Sequence, residues 1–260
     1  MLLVADYDSS SDSSSQEYTQ EQNSNLEVAK PFQQTNIKGN WPLHIHIKII
    51  PNRQTVKFIE DVCRISESFF VKKNVKADLV KILSKDLPTD HLEYLFPLGN
   101  DTPLGKSDST DKEIEYLHIS LSRHASLKFH QIEKFIQKLE LELKSVSPFG
   151  IGIGSVLGLI NESKSKSFLA LKVLTGNQNL LRLLERIDVL MKTFSLPPFH
   201  TVPLFHASFL WSEGSCLVDP DLIKTISDNS TTINNTLDHF NIKSVFVHIG
   251  NKYFELHLGS

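Results

Sequence analysis

Tyr116-Leu117-His118-Ile119-Ser120-Leu121-Ser122 alternates apolar with polar residues, and Leu204-Phe205-His206-Ala207-Ser208-Phe209-Leu210-Trp211 repeats its central pattern. Successive side chains of a strand point to opposite faces. His118 and Ser120 therefore share one face, with Leu117, Ile119 and Leu121 on the other. His206 and Ser208 are set apart from Phe205, Ala207 and Phe209 in the same way. One His-x-Ser in a strand is ordinary sheet. Two copies, each in an alternating run well inside the chain, supply two imidazoles and two hydroxyls that can meet across one groove.

Such a set suits cleavage of a phosphodiester by internal attack. One group must take a proton from the nucleophile and another must give one to the leaving oxygen. Histidine can do either near neutrality. Preorganised donors must meet the charge on the phosphoryl oxygens, and a serine beside each histidine can supply them. No metal or cofactor is needed by this logic. A serine-nucleophile triad fits less well, because neither serine lies in Gly-x-Ser-x-Gly or on a strand-to-helix elbow.

The paired motifs resemble the 2H phosphoesterase superfamily, and within it the U6 snRNA phosphodiesterase family. Three further stretches carry the resemblance. Gly39-Asn40-Trp41 leads straight into a strand. Lys166-Ser167-Phe168-Leu169-Ala170-Leu171-Lys172-Val173 precedes Gly176 and a long helix. The second motif ends in Trp211. The match runs from about Gly39 to the C-terminus.

The resemblance implies an α/β (α+β) fold of two pseudo-symmetric lobes, with antiparallel sheets flanking a central groove and helices outside. It implies a metal-independent 3′→5′ RNA phosphodiesterase that trims the oligouridine tail of U6 snRNA in the nucleus as a monomer, without a cofactor. The penultimate 2′-hydroxyl would attack, leaving a 2′,3′-cyclic phosphate; whether a second round then opens that ring to a monophosphate is not read from the sequence. By the same analogy His206 is the general base, His118 the general acid, and Ser120 and Ser208 hold the phosphoryl oxygens. The family's base-stacking aromatic, six positions before the second histidine, is replaced here by His200, with Phe199 beside it as the alternative platform. Ser122 completes the substrate-binding candidates. The alternatives are another 2H enzyme acting on RNA cyclic phosphates, as in tRNA processing, and a non-catalytic RNA-binding module.

The rest of the chain bounds this reading. Its 260 residues carry a net charge of −3, which argues against a broad basic nucleic-acid surface. Residues 1–30 hold six acids and one base, leaving 24 acids and 26 bases elsewhere. Residues 1–37 are rich in Ser, Gln, Asn and acids, and are expected to be disordered. Ser9 to Ser15 there read as a phosphorylation site or a solubilising tail. Residues 38–260 form the expected catalytic domain. No apolar run reaches the length of a membrane span, and Met1-Leu2-Leu3-Val4 is too short for a signal peptide. Cys63 and Cys216 read as small buried residues of a chain in a reducing compartment.

Along the chain, Pro42–Ile50 alternates as a first strand. His44 and His46 share a face of it, a His-x-His pair with no evident third metal ligand. Helical spacing follows over 55–70, with a shorter helix expected over Ala77–Leu83. Pro and Gly punctuate a loose excursion over 86–113. Helices are expected over Phe129–Val146 and Leu180–Phe194, and another starting at Asp219-Pro220. Phe149–Gly158 alternates Gly with apolar residues but lacks Gly-Lys-Ser/Thr. It reads as a strand with glycine on one face, in a hairpin with Phe168–Leu174. Ile242–Ile249 and Tyr253–Leu258 read as a final strand pair.

Overall fold

In the computed structural model, residues 39–82, 116–229 and 236–259 are described. The expected tail over 1–37, the excursion over 86–113 and Ile233 lie outside the described residues.

Alternation makes the first strand, β1 (Asn40–Ile49), and its odd residues Leu43, Ile45, Ile47 and Ile49 are at most 1% exposed. Asn52 caps α1 (Arg53–Lys72), accepting the Thr55 N–H at 2.9 Å. Ile59, Val62, Cys63, Phe69 and Phe70 form its buried stripe. The helix expected over Ala77–Leu83 does not form over its described residues, 77–82. Val80–Lys81 instead form a two-residue strand, β2, against the end of the second motif strand, and Ile82 N–H donates to Phe209 O. The short first motif strand leaves that edge unpaired, and open backbone groups there are worth more than one turn of helix.

The first motif strand is β3 (Leu117–Ser120), antiparallel to the far half of β1. The chain then loops over 121–124 and resumes as β4 (Ala125–Lys128) along the near half of the same strand, where no strand was expected. Helix α2 (Phe129–Leu143) packs against β4 and against a later helix, α3 (Asn177–Thr193). The glycine-rich stretch is β5 (Phe149–Ile160), paired with β6 (Lys166–Thr175) as expected. A bulge at Ser155, whose φ is +49°, reverses its alternation. Its glycines therefore do not share a face. A Cβ at Gly152 would meet Thr175 and Thr236 side chains, whereas one at Gly158 would sit 3.0 Å from Leu217 O.

Helix α3 (Asn177–Thr193) leads to the second motif strand, β7 (His206–Glu213). A 3-10 turn over Cys216–Val218 and helix α4 (Pro220–Asn229) follow. Lys73 Nζ, 3.1 Å from Asp219 and 3.0 Å from Asp221, joins the end of α1 to the start of α4. Strand β8 (Thr236–Ile242), also unexpected, pairs with β5. Lys243 alone separates it from β9 (Ser244–Ile249), which pairs with β1 and with β10 (Lys252–His257).

The strands run β10-β9-β1-β3-β7-β6-β5-β8, with β4 on β1 and β2 on β7. One residue links the far edge to the second strand, so the sheet is curled. Its two halves are the expected lobes, β1, β3, β4, β9 and β10 in one and β5 to β8 in the other. They meet where β3 pairs with β7, in a seam one registered pair wide, Ile119↔Ala207. Both residues are 0% exposed and belong to one core that runs under both lobes, which puts the motif histidines on the opposite face.

Candidate active site

The antiparallel pair Ile119↔Ala207 fixes the geometry of the site. The residues flanking it, His118 and Ser120 on β3 and His206 and Ser208 on β7, share the face away from the core. The seam thus brings together all four residues expected to act. Each histidine also has a lysine as register partner on its outer neighbour: Lys48↔His118 on β1 and Lys172↔His206 on β6.

His206 Nδ1 lies 2.6 Å from Leu204 O. A carbonyl only accepts, so Nδ1 carries the hydrogen and Nε2 of the neutral ring presents a lone pair. His44 Nε2 lies 3.1 Å from Ser120 Oγ. If Ser120 is to donate to an anion, His44 must donate to Ser120, which fixes the tautomer of His44 as well.

His44 and His46 do not splay apart as paired ligands would. Their rings stack at 4.8 Å and 16°. His118 meets both edge-on, at 5.3 and 5.6 Å, and His248 from β9 closes on His46 at 5.3 Å. Among the described residues no group of three or more His, Cys, Asp or Glu is arranged to hold a metal ion. His46 Nδ1 and His248 Nε2 are buried without a hydrogen-bond partner among those residues. The opposite wall differs. Leu157, Leu159 and Ala170, with Phe168 and Leu204 against them, form a small cluster apart from the main core, on the face of Ser208. One lobe therefore presents a wall of packed imidazoles, and the other sets His206 beside hydrocarbon.

Burial disfavours the charged imidazole throughout this cluster. It pushes His118 down to about 4, helped by the charges His206 and His248 would carry. His248 falls to about 4, also through burial, with Lys48 adding to it. His44 and His46 are held well below the usual range and His206 is lowered, all chiefly by burial. A histidine that is neutral when folded binds its proton only on unfolding. Its stabilisation is full above the unfolded pKa near 6.5 and is lost as pH falls towards the folded value. His118 alone contributes about 3 kcal/mol to that loss by pH 4. Urea unfolding at pH 7.5 and pH 4.5 is expected to show a midpoint about 1 M or more lower at the acid pH. An unchanged midpoint would show that these imidazoles are charged in the folded protein.

The three binding candidates separate. His200 lies on the His206 side. Its Nδ1 is 3.7 Å from Glu162, which also pairs with Arg123 at 2.6 Å. Burial and then Arg123 lower its pKa, against the pull of Glu162. Phe199 turns to the interior: its ring stacks on Phe205 at 6.4 Å and its N–H donates to Asp188. It supports His200 edge-on at 5.0 Å and offers no second platform. Ser122 is 6% exposed, and its hydroxyl accepts the Ile45 N–H at 2.9 Å. It bridges the interruption between β3 and β4, a structural post in place of the expected substrate contact. Sequence reasoning missed the placement of His248 and the contact of His44 with Ser120. The alternation of His248 with Phe246 was visible, but not the pairing of β9 with β1.

Comparison with known proteins adds to this geometry. A family model described as HVSL, uncharacterised conserved protein, matches residues 7–257. The protein named U6 snRNA phosphodiesterase 1 in Mus musculus is 29% identical over 154 residues, 56% of each chain. Its namesake in Danio rerio is 34% identical over 100 residues, 38% of this chain and 36% of that one. The chain thus spans about half the length of the curated relatives it matches. Among solved structures, Usb1 of Kluyveromyces marxianus covers 84% of this chain and 98% of its own at a TM-score of 0.55 and 12% identity. The same protein with uridine monophosphate gives 0.56 at 13%. At that identity the likeness shows the fold.

Proposed function

The chain belongs to the HVSL family, and on that premise we propose that it is a metal-independent 3′→5′ RNA phosphodiesterase trimming the oligouridine tail of U6 snRNA. The observation that carries the reading is the seam itself: two His-x-Ser motifs from distant parts of the chain lie side by side on one recessed face. Binding alone does not call for two titratable groups with matched hydroxyls.

In this mechanism His206 Nε2 takes the proton of the penultimate 2′-hydroxyl, the role its Leu204-fixed tautomer fits. The 2′-oxygen attacks phosphorus as the bond to the terminal 5′-oxygen breaks, and His118 gives that oxygen its proton. The products are a shortened RNA with a 2′,3′-cyclic phosphate and the released terminal nucleoside. Ser120 and Ser208 donate to the phosphoryl oxygens. When water opens the cyclic phosphate, the two histidines exchange roles.

His118 at about 4 is a poor acid store in the free protein. A phosphate charge about 4 Å away contributes about 4 kcal/mol at an effective dielectric near 20, enough to raise the pKa of the imidazole back towards neutral pH. Substrate thus charges its own acid. His200, beside His206, receives a base. The catalytic unit is residues 38–260, working as a monomer in the nucleus.

The test is end chemistry. An RNA with an oligouridine tail, incubated with the protein in EDTA, is expected to shorten by single nucleotides and to carry a 2′,3′-cyclic phosphate. Ends bearing a free 3′-hydroxyl, or activity only after a divalent metal is restored, would overturn the two-histidine mechanism.

A further inference from the structure

The face of β1, β3, β9 and β10 beyond His118 carries a second feature that the reaction does not use. Lys48 Nζ lies 3.9 Å from the centre of the Tyr116 ring, 5.5 Å from Phe246 and 5.9 Å from Tyr253. Phe246 and Tyr253 lie nearly parallel at 5.8 Å and 29°, and Tyr253 stands edge-on to His248 at 4.5 Å. An aromatic group on a strand usually belongs to the core. This one does not. Ile47, Ile49, Val245, Val247 and Leu256 fill the core from the other face of the same strands, and Tyr253 is 46% exposed.

We propose that Tyr116, Phe246 and Tyr253, with Lys48 among them, form a base-stacking subsite for the nucleoside on the His118 side of the scissile phosphate. The proposal rests on the reading that single-stranded RNA lies across the motif face. A phosphate held between His118 and His206 has a nucleoside on each side. His200 lies by His206 and meets one of them. The other needs an aromatic surface within a nucleotide's reach of His118. Tyr116, the residue just before β3, is two residues from His118, about 7 Å in extended chain. Lys48 is the register partner of His118 and offers the cation that the adjoining phosphate needs. Aromatic rings around a partly desolvated ammonium are the two ingredients of sequence-tolerant single-strand binding. Glu255, across the register from Phe246, partly offsets Lys48 and discourages a surface that would hold anions without a base.

The experiment uses the full chain and a fluorescein-labelled oligouridylate with 2′-O-methyl riboses, which binds without being cut. An abasic residue is placed in turn at each of the two positions flanking the scissile phosphate. Removing the base on the His118 side is expected to weaken binding of the unaltered protein about tenfold. The double variant Tyr116→Ala/Tyr253→Ala is expected to lose that tenfold sensitivity at one position only, while Tyr116→Phe/Tyr253→Phe keeps it. Lys48→Gln is expected to lower the slope of log affinity against log salt by about 0.7. If the double alanine variant still discriminates tenfold, or the unaltered protein never does, the subsite is wrong. A companion assay on cleavable RNA separates this from the catalytic reading. Discrimination without turnover upholds the subsite and sinks the enzyme, and turnover without discrimination does the reverse.

Discussion

His118→Ala and His206→Ala are each expected to lower turnover of an oligouridine RNA by about a thousandfold or more. General acid–base catalysis by one positioned group contributes roughly 10²- to 10⁴-fold. Here each group also loses its partner's benefit, since proton removal and proton delivery belong to one displacement. The double variant should therefore fall little below either single one, because residues that act as a unit are not additive. RNA affinity should change only a few-fold, because Ser120, Ser208 and both lysines remain. Folding is not the weak point. Both histidines sit half-buried and opposite the core, and removing a desolvated imidazole relieves a cost. Matched urea midpoints at pH 7.5 would confirm that. Retention of a tenth of the activity by either variant would end the case for paired acid–base chemistry.

A single 2′-deoxy sugar at the penultimate position is expected to stop removal of the last nucleotide almost completely. In this mechanism the nucleophile belongs to the substrate, and His206 can activate only what lies within reach of Nε2. Well-oriented internal nucleophiles reach effective molarities of roughly 10⁵–10⁸ M. Water entering the same position does not replace that advantage, so a fall of at least about 10⁴-fold is expected. Methylating the oxygen should act likewise, while modification of the terminal 2′-hydroxyl should cost much less. Moving the deoxy position along an oligouridine and mapping where trimming stalls gives the answer. An enzyme that passes the modified sugar at an undiminished rate uses water or a side chain as nucleophile.

The alternating runs around His118 and His206 made both motif strands, their faces and their residues legible, because a period of two depends only on local sequence. The likeness to U6 snRNA phosphodiesterases read from those runs is met by the curated relatives. Adjacency was not legible. Ser122 looked like a third hydroxyl on the motif face, and only the interruption between β3 and β4 shows why it is a backbone post. The glycines of β5 alternated as if on one face until the bulge at Ser155 reversed them. Val80 and Lys81 had helical company but were taken by the vacant edge of β7. His44 and His46 invited a metal, yet β3 and β9 turn them into packed, neutral neighbours of the site. In each case the deciding partner lay far away in the chain.

The two lobes differ in how far apart their strands are written. The four strands bearing His206 run consecutively from Phe149 to Ile242, whereas the lobe bearing His118 joins Leu43 to Ile249, near opposite ends of the chain. Local pairings form early and distant ones wait on loop closure. On the ribosome, where the N-terminal part emerges first, the His206 half can assemble while β1 and β3 still lack the flank that β9 and β10 supply. The imidazole wall is completed only when β9 and β10 emerge, so a nascent chain holds a finished base before it holds a finished acid.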